Sequence, residues 1–283
     1  MRPSQQEPRL PAPLGGPHTM FGGSFIIEFL QPGPDLDASF LFRATYVGGH
    51  EAVKKGKGHP QAPPLHAHLS QSESFIVEAG AVGTSASWGA IDTIHTPTAD
   101  HVQSVSPSSL SPPIPSRNDE GVTEIVPWMP HNFWPVAPDH PFWSTSEGQQ
   151  YESSLPNGRN SDTTVLIWGH PNTVKRPSTG TLISAFPPDM DAAFFLALLT
   201  LVDVISSKRV PITPAFMAKF MGLQTASGTA MLIFPTAWWL GPLRWAVPWS
   251  LQVGLEWTRK LLGGENIVSF VEGVIEEQVV KRQ

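Results

Sequence analysis

Between Phe21 and Pro171 the apolar residues come in short bursts, each long enough for a β-strand and too short for most helices. GSFIIEFL, SFLFRATYV, ESFIVEAG, VTEIVPW and TTVLIWG are rich in β-branched and aromatic residues and are separated by Gly, Pro, Asn and Asp. Short strands with that punctuation pair into an antiparallel sandwich or barrel, so the fold class over 21–172 is mainly β. Two intervals break the rhythm. Residues 96–120 are crowded with Ser and Pro and cannot supply a central strand, which predicts a long surface loop. EGQQYESSLPNGRNSD (147–162) reads as a second polar loop, and the proline-rich residues 1–20 read as a flexible arm.

The character changes over 173–283, which is Trp-rich and helical in pattern. Asp189 or Asp191 is placed to cap a helix that runs in apolar residues to about Ser206. Residues 220–243 contain no charge, and as one ideal helix would measure roughly 36 Å, enough to cross a bilayer. Pro235, Gly222, Gly228 and Gly241 weaken such a helix. Three readings stay open at this point: helices packed on the β-domain, peripheral membrane contact through 220–262, and a true span. Trp245, Trp249 and Trp257 beside basic residues are the composition of an interfacial helix.

Composition removes whole classes of function. A net charge of −6 without a basic run gives no footprint for nucleic acid. With no cysteine, disulfides, thiolate metal sites and a cysteine nucleophile are excluded, so any metal must sit on nitrogen and oxygen. The N-terminal residues lack the apolar core of a secretory signal, and a cytoplasmic location is expected. No GxSxG, P-loop or GxGxxG is present, so flavin and nicotinamide cofactors are not expected.

The stretch HAHLSQSE (66–73) carries the chemistry. On a strand, His66 and His68 emerge on one face about 7 Å apart and can converge on one ion. LSQSE turns the chain, and Glu73 on the following strand supplies an anionic oxygen to complement two imidazoles. His131, stiffened by neighbouring prolines in EIVPWMPHNFWP, is the candidate fourth ligand. Three imidazoles and one carboxylate leave positions open for substrate, water or dioxygen. Phe75, Phe133 and Trp134 are core residues or an aromatic wall for a planar substrate, with core favoured; Gln71 has no assigned role.

The spacing His66-x-His68-x4-Glu73-x6-Gly80 resembles the first motif of the cupin superfamily, and Gly121-x5-Pro127 followed by His131 resembles the second. In the second motif the glycine after the proline is missing and the histidine arrives one residue early. With FPTAWWLGPLRWAVPW (234–249), the chain is similar to fungal cupin-domain oxidoreductases encoded beside polyketide synthases, including those of salicylaldehyde-type clusters. The resemblance implies a double-stranded β-helix, or jelly roll, with a helical C-terminal extension. It also implies a divalent metal held by His66, His68, Glu73 and His131, with Fe(II) favoured over Mn, Ni or Zn, a polyketide-derived small-molecule substrate and a homodimer. Two other functions remain in view: a redox-neutral isomerase, dehydratase or cyclase, and a non-catalytic protein that binds or assembles such intermediates.

Overall fold

The computed structural model describes residues 13–33, 36–97, 121–171, 190–208, 210–231, 243–261 and 267–280. The expected loop at 96–120 lies almost wholly outside them, as do residues 1–12 of the expected arm. Two antiparallel sheets face one another. The larger has the order β1 (Pro13–Met20), β2 (Phe25–Leu30), β3 (Phe40–Tyr46), β10 (Thr163–Gly169), β5 (Glu73–Ala79) and β8 (Thr123–Ile125). The smaller runs β11 (Thr229–Met231), β4 (His66–His68), β9 (His131–Pro135), β6 (Val82–Ala86) and β7 (Ile91–His95). This is the expected jelly roll.

All five apolar bursts of the sequence fall in the larger sheet. Inside it, Phe25, Ile27, Phe42, Phe75, Val77, Val165 and Ile167 join one buried cluster with residues of the smaller sheet. The outer face of the same sheet is also covered: Ile76, Leu166 and Trp168 pack with Leu30, Leu36 and Leu41. That double burial explains why ESFIVEA is nearly continuously apolar rather than alternating. Gly80 closes the first motif because the turn after β5 has φ +68°, and a Cβ there would overlap the Thr163 side chain and the Asp162 carbonyl.

Three expectations need correction. Residues 13–20 are not part of an arm; they pair with β2 as strand β1, because Met20 to His18 continue the ladder opposite Phe25 to Ile27. The polar stretch 147–162 contains a helix, α1 (Ser146–Ser154), started by the Thr145 hydroxyl accepting from the Gly148 amide at 3.0 Å. Residues 220–243 are not one helix. The chain forms α2 (Ala192–Ser206), capped by Asp191, then α3 (Pro214–Ala226), which ends at Gly228 and turns into β11. Beyond β11 come α4 (Leu243–Leu261) and α5 (Ile267–Val280). Among the described residues no helix is long and apolar enough to cross a membrane.

The C-terminal region is continuous with the barrel. Strand β11 pairs with β4 in the register Thr229↔His68 and Met231↔His66, and the Leu69 amide donates to the Gly228 carbonyl at 2.7 Å. Gln71, at the turn into β5, is bonded to both backbone groups of Met190, its Oε1 accepting from the amide at 3.0 Å. The Phe195 ring of α2 lies 4.4 Å from Phe40 and 5.2 Å from Phe42. Helix α4 turns Pro248, Gln252 and Glu256 inward and Leu243, Val247, Leu251, Trp257 and Leu261 outward, the reverse of an ordinary surface helix.

Removing residues 190–283 strips β4 of one neighbour and uncovers the Phe40–Phe42 face. The truncated protein is expected to aggregate or to lose its near-ultraviolet circular dichroism. A soluble fragment with native-like aromatic signals would show that the barrel stands alone.

Candidate metal centre and its cavity

The two sheets bring together all four residues singled out in the sequence. His66 and His68 stand on β4, His131 on β9, and the register His66↔His131 sets two imidazoles directly opposite each other. Ring centroids are 5.1 Å apart for His66–His68, 4.5 Å for His66–His131 and 4.9 Å for His68–His131. One nitrogen from each lies within 4.8 Å of the others. Glu73 approaches from β5, the following strand in sequence, which belongs to the facing sheet. Its carboxylate oxygens are 3.8 Å from His68 Nε2 and 3.9 Å from His131 Nε2.

Backbone carbonyls fix the tautomers. His66 Nδ1 lies 3.0 Å from the Pro64 oxygen and His131 Nδ1 2.9 Å from the Met129 oxygen. A carbonyl only accepts, so each Nδ1 carries the proton and leaves Nε2 with a free lone pair turned to the cluster. His68 Nδ1, His68 Nε2 and His131 Nε2 are buried without a hydrogen-bond partner. Buried nitrogens left in that condition are costly unless something occupies the space between them. The donor set and the orphaned lone pairs fit a divalent cation bound by imidazole and carboxylate.

Burial governs the protonation. It pulls His66 down to about 4 and His131 to about 3, the latter helped by repulsion from His66, and it holds His68 well below the ordinary histidine value. It pushes Glu73 up to about 8. Without a cation, the cluster at neutral pH is three neutral imidazoles and a protonated carboxyl. A cation bound there would displace one proton, that of Glu73.

The second motif lacks its glycine, yet His131 reaches the site. The shortened turn places Trp128 in the left-handed region at φ +67°, a conformation that costs a side-chain-bearing residue roughly 1–2 kcal/mol. The Trp128 amide donates to the His68 carbonyl at 2.8 Å, and its ring meets Trp249 of α4 edge-on at 6.1 Å. The strained turn is therefore tied to β4 on one side and to the C-terminal region on the other.

His66 and Glu73 open onto a cavity of about 330 Å³. Phe133 lines it, whereas Phe75 packs behind against Phe133 at 5.0 Å and Trp134 belongs to a separate cluster. The sequence pattern did not reveal the far wall, which α2 and α3 supply through Phe195, Leu199, Val202, Met217, Phe220 and Gln224. Helical apolar spacing does not distinguish a wall from a core. His59, His95 and His170 stay outside the cluster, each bonded to a hydroxyl: Ser24, Thr84 and Ser74 respectively.

The strand order defines a jelly-roll barrel with a helical extension, and this four-residue set lies between its sheets. No family model matches the chain. The probable oxidoreductase patJ of Penicillium expansum is 41% identical over 73 residues, 23% of this chain and 22% of that protein, so less than a quarter of either is matched. Solved structures that align include the cupin domain of Schizosaccharomyces pombe Cnp3, at 6% identity over 52% of this chain and 64% of the other with a TM-score of 0.28. The Staphylococcus aureus capsular polysaccharide assembling protein CapF aligns at 12% identity over 54% of this chain and 28% of the other, with a TM-score of 0.27. At such scores they add nothing to the strand order itself.

The titrations predict a pH signature for the metal-free protein. Glu73 binds its proton more tightly folded than unfolded, where 4.5 is ordinary, so its contribution to stability is lost as pH rises through about 8. The histidines are opposite: their contribution is lost as pH falls from 6.5 toward 4 and 3. Between pH 6.5 and 8 only Glu73 of the four matters, at about 1.4 kcal/mol per pH unit, or about 2 kcal/mol. Urea unfolding in chelator is expected to show that decline in the wild type and not in Glu73→Gln; parallel curves would refute the burial of this carboxyl.

Proposed function

We propose that the chain is a metal-dependent oxidoreductase that tailors a polyketide-derived, aromatic small molecule of the salicylaldehyde type. The observation that carries it is the convergence of His66, His68, His131 and Glu73, with orphaned nitrogens, at the end of an apolar cavity. The partial match to a fungal protein described as a probable oxidoreductase supports the class of reaction. A divalent cation at this position, Fe(II) by preference, supplies Lewis acidity and, as iron, access to dioxygen as oxidant.

The chain's own groups divide the remaining work. His66, His68 and His131 arrive neutral and need no deprotonation to act as donors, and Glu73 gives up its proton to balance cationic charge. Phe133, Phe195 and Phe220 exclude water and offer flat apolar surface to an aromatic ring. Tyr46, buried and with its pKa pushed well above the ordinary phenol value, keeps its proton and donates to Gln61. A phenolic or enolic oxygen directed at the cluster is thereby held in a dry site where small differences in charge matter most.

The redox-neutral reading, an isomerase, dehydratase or cyclase, uses the same residues, and oxygen uptake during turnover separates the two. The His66→Ala variant is expected to keep its fold while losing at least tenfold in iron or zinc affinity and all turnover. Full activity in that variant refutes a metal role for the cluster.

A second property is favoured by α4. Its outward stripe of Leu243, Val247, Leu251, Trp257 and Leu261 carries no charge, Trp249 and Trp128 flank it, and Lys260 stands exposed at its end. Tryptophan at the flank and a terminal lysine suit the headgroup boundary of an anionic bilayer. We therefore propose peripheral membrane contact through this helix. The protein is expected to sediment with phosphatidylcholine vesicles containing phosphatidylserine, and the Val247→Glu/Leu251→Glu variant to stay in solution. A wild type that ignores vesicles but loses a dimer on the same substitutions would assign the stripe to a second copy instead.

A further inference from the structure

Buried polar atoms without partners are few among the described residues, and apart from the Trp168 indole nitrogen and the site histidines there is one: Oε1 of Gln224. It is the one buried side-chain oxygen in that condition among those residues. Other buried or cavity-facing glutamines are engaged: Gln71 with Met190 and Ser39, Gln61 with Tyr46, Gln252 with the Pro248 carbonyl. Gln224 lies near the end of α3, 8% exposed, on the helix whose neighbouring Phe220 and Met217 also line the cavity. A leucine there would satisfy the apolar wall without stranding an acceptor, so the amide lowers the stability of the empty protein. Groups left unpaired in a binding site reject ligands that cannot pair them and favour those that can.

We propose that Gln224 is a specificity-determining residue, its side-chain oxygen accepting a hydrogen bond from a hydroxyl on an otherwise apolar, uncharged substrate. This rests on the proposed function only in that a second substrate oxygen is held at the histidine cluster. The ligand is uncharged because the ionisable side chains that the described lining presents are Tyr46, His66 and Glu73, so a carboxylate away from the cluster would be desolvated against apolar walls. Helix α3, not the barrel, thus selects among molecules that share the same reacting oxygen.

The test uses two phenols of nearly equal size, 4-(3-hydroxypropyl)phenol and 4-propylphenol, titrated calorimetrically into the full chain with and without zinc. Both offer a phenolic oxygen; one adds a flexible distal hydroxyl. Gln224→Leu is expected to weaken the hydroxypropyl compound at least tenfold relative to propylphenol, and to raise the melting temperature of the empty protein by roughly 2–4 °C. An unchanged affinity ratio, or a lower melting temperature, overturns the proposal, because a merely structural glutamine destabilises when lost. Gln224→Met, closer in shape, gives the same pair of readings should the leucine variant aggregate. If neither phenol binds the wild type, the direction of the melting shift decides alone. Failure of zinc to bind would sink the metal-dependent function while leaving the ratio between the two phenols readable.

Discussion

Three imidazoles and a carboxyl meeting between two β-sheets, most of their polar atoms buried, set the terms for the rest of this molecule. Such a group is expensive to bury, and it survives only because its members are held apart from alternative partners: two Nδ1 protons are committed to carbonyls, and the carboxyl keeps its proton. The cost is local and the support is distributed. His66 and His131 are locked in opposite positions of one ladder, Glu73 comes across from the other sheet, and the glycine after β5 lets that strand turn away without collision.

That support extends beyond the barrel. The strand carrying His66 and His68 is three residues long and would be an edge if β11 did not pair with it. Gln71 fastens the turn after it to Met190, and Thr229, opposite His68, reaches the Met190 sulfur at 3.5 Å. The strained Trp128 turn leans on α4. The C-terminal region therefore acts at two places: it holds the strand of His66 and His68 in register, and through α2 and α3 it shapes the cavity that His66 and Glu73 line. Jelly rolls serve many chemistries, and in this chain the helices C-terminal to the barrel supply one wall of the cavity.

Five of the six strands of the larger sheet were legible because they are written largely in Phe, Ile, Val and Trp, with the central ones buried on both faces. The smaller sheet was not, apart from the histidine pair. VGTSA, IDTIH and HNFWP carry Gly, Ser, Asp, His and Pro, since this sheet brings the histidines together and needs close approach more than strand propensity, and TAM is too short to read as a strand. Gly83 is such a case, with the Trp134 ring lying where a side chain would be. His66, His68 and Glu73 were readable from their spacing and His131 from the resemblance to a second motif, while the carbonyls that orient the histidines and the cavity wall on α3 were not, because backbone acceptors leave no trace in side-chain identity. Pattern also misjudged residues 13–20 and 146–154, where a ladder partner and a threonine cap outweighed polar composition.

Zinc soaked into crystals of the full chain and located by anomalous scattering addresses the central claim most directly. The account predicts one strong peak between the sheets, about 2.0–2.1 Å from Nε2 of His66, His68 and His131, with the Glu73 carboxylate turned to it. Density elsewhere on the surface, with those three imidazoles unmoved and nothing between them, would contradict it.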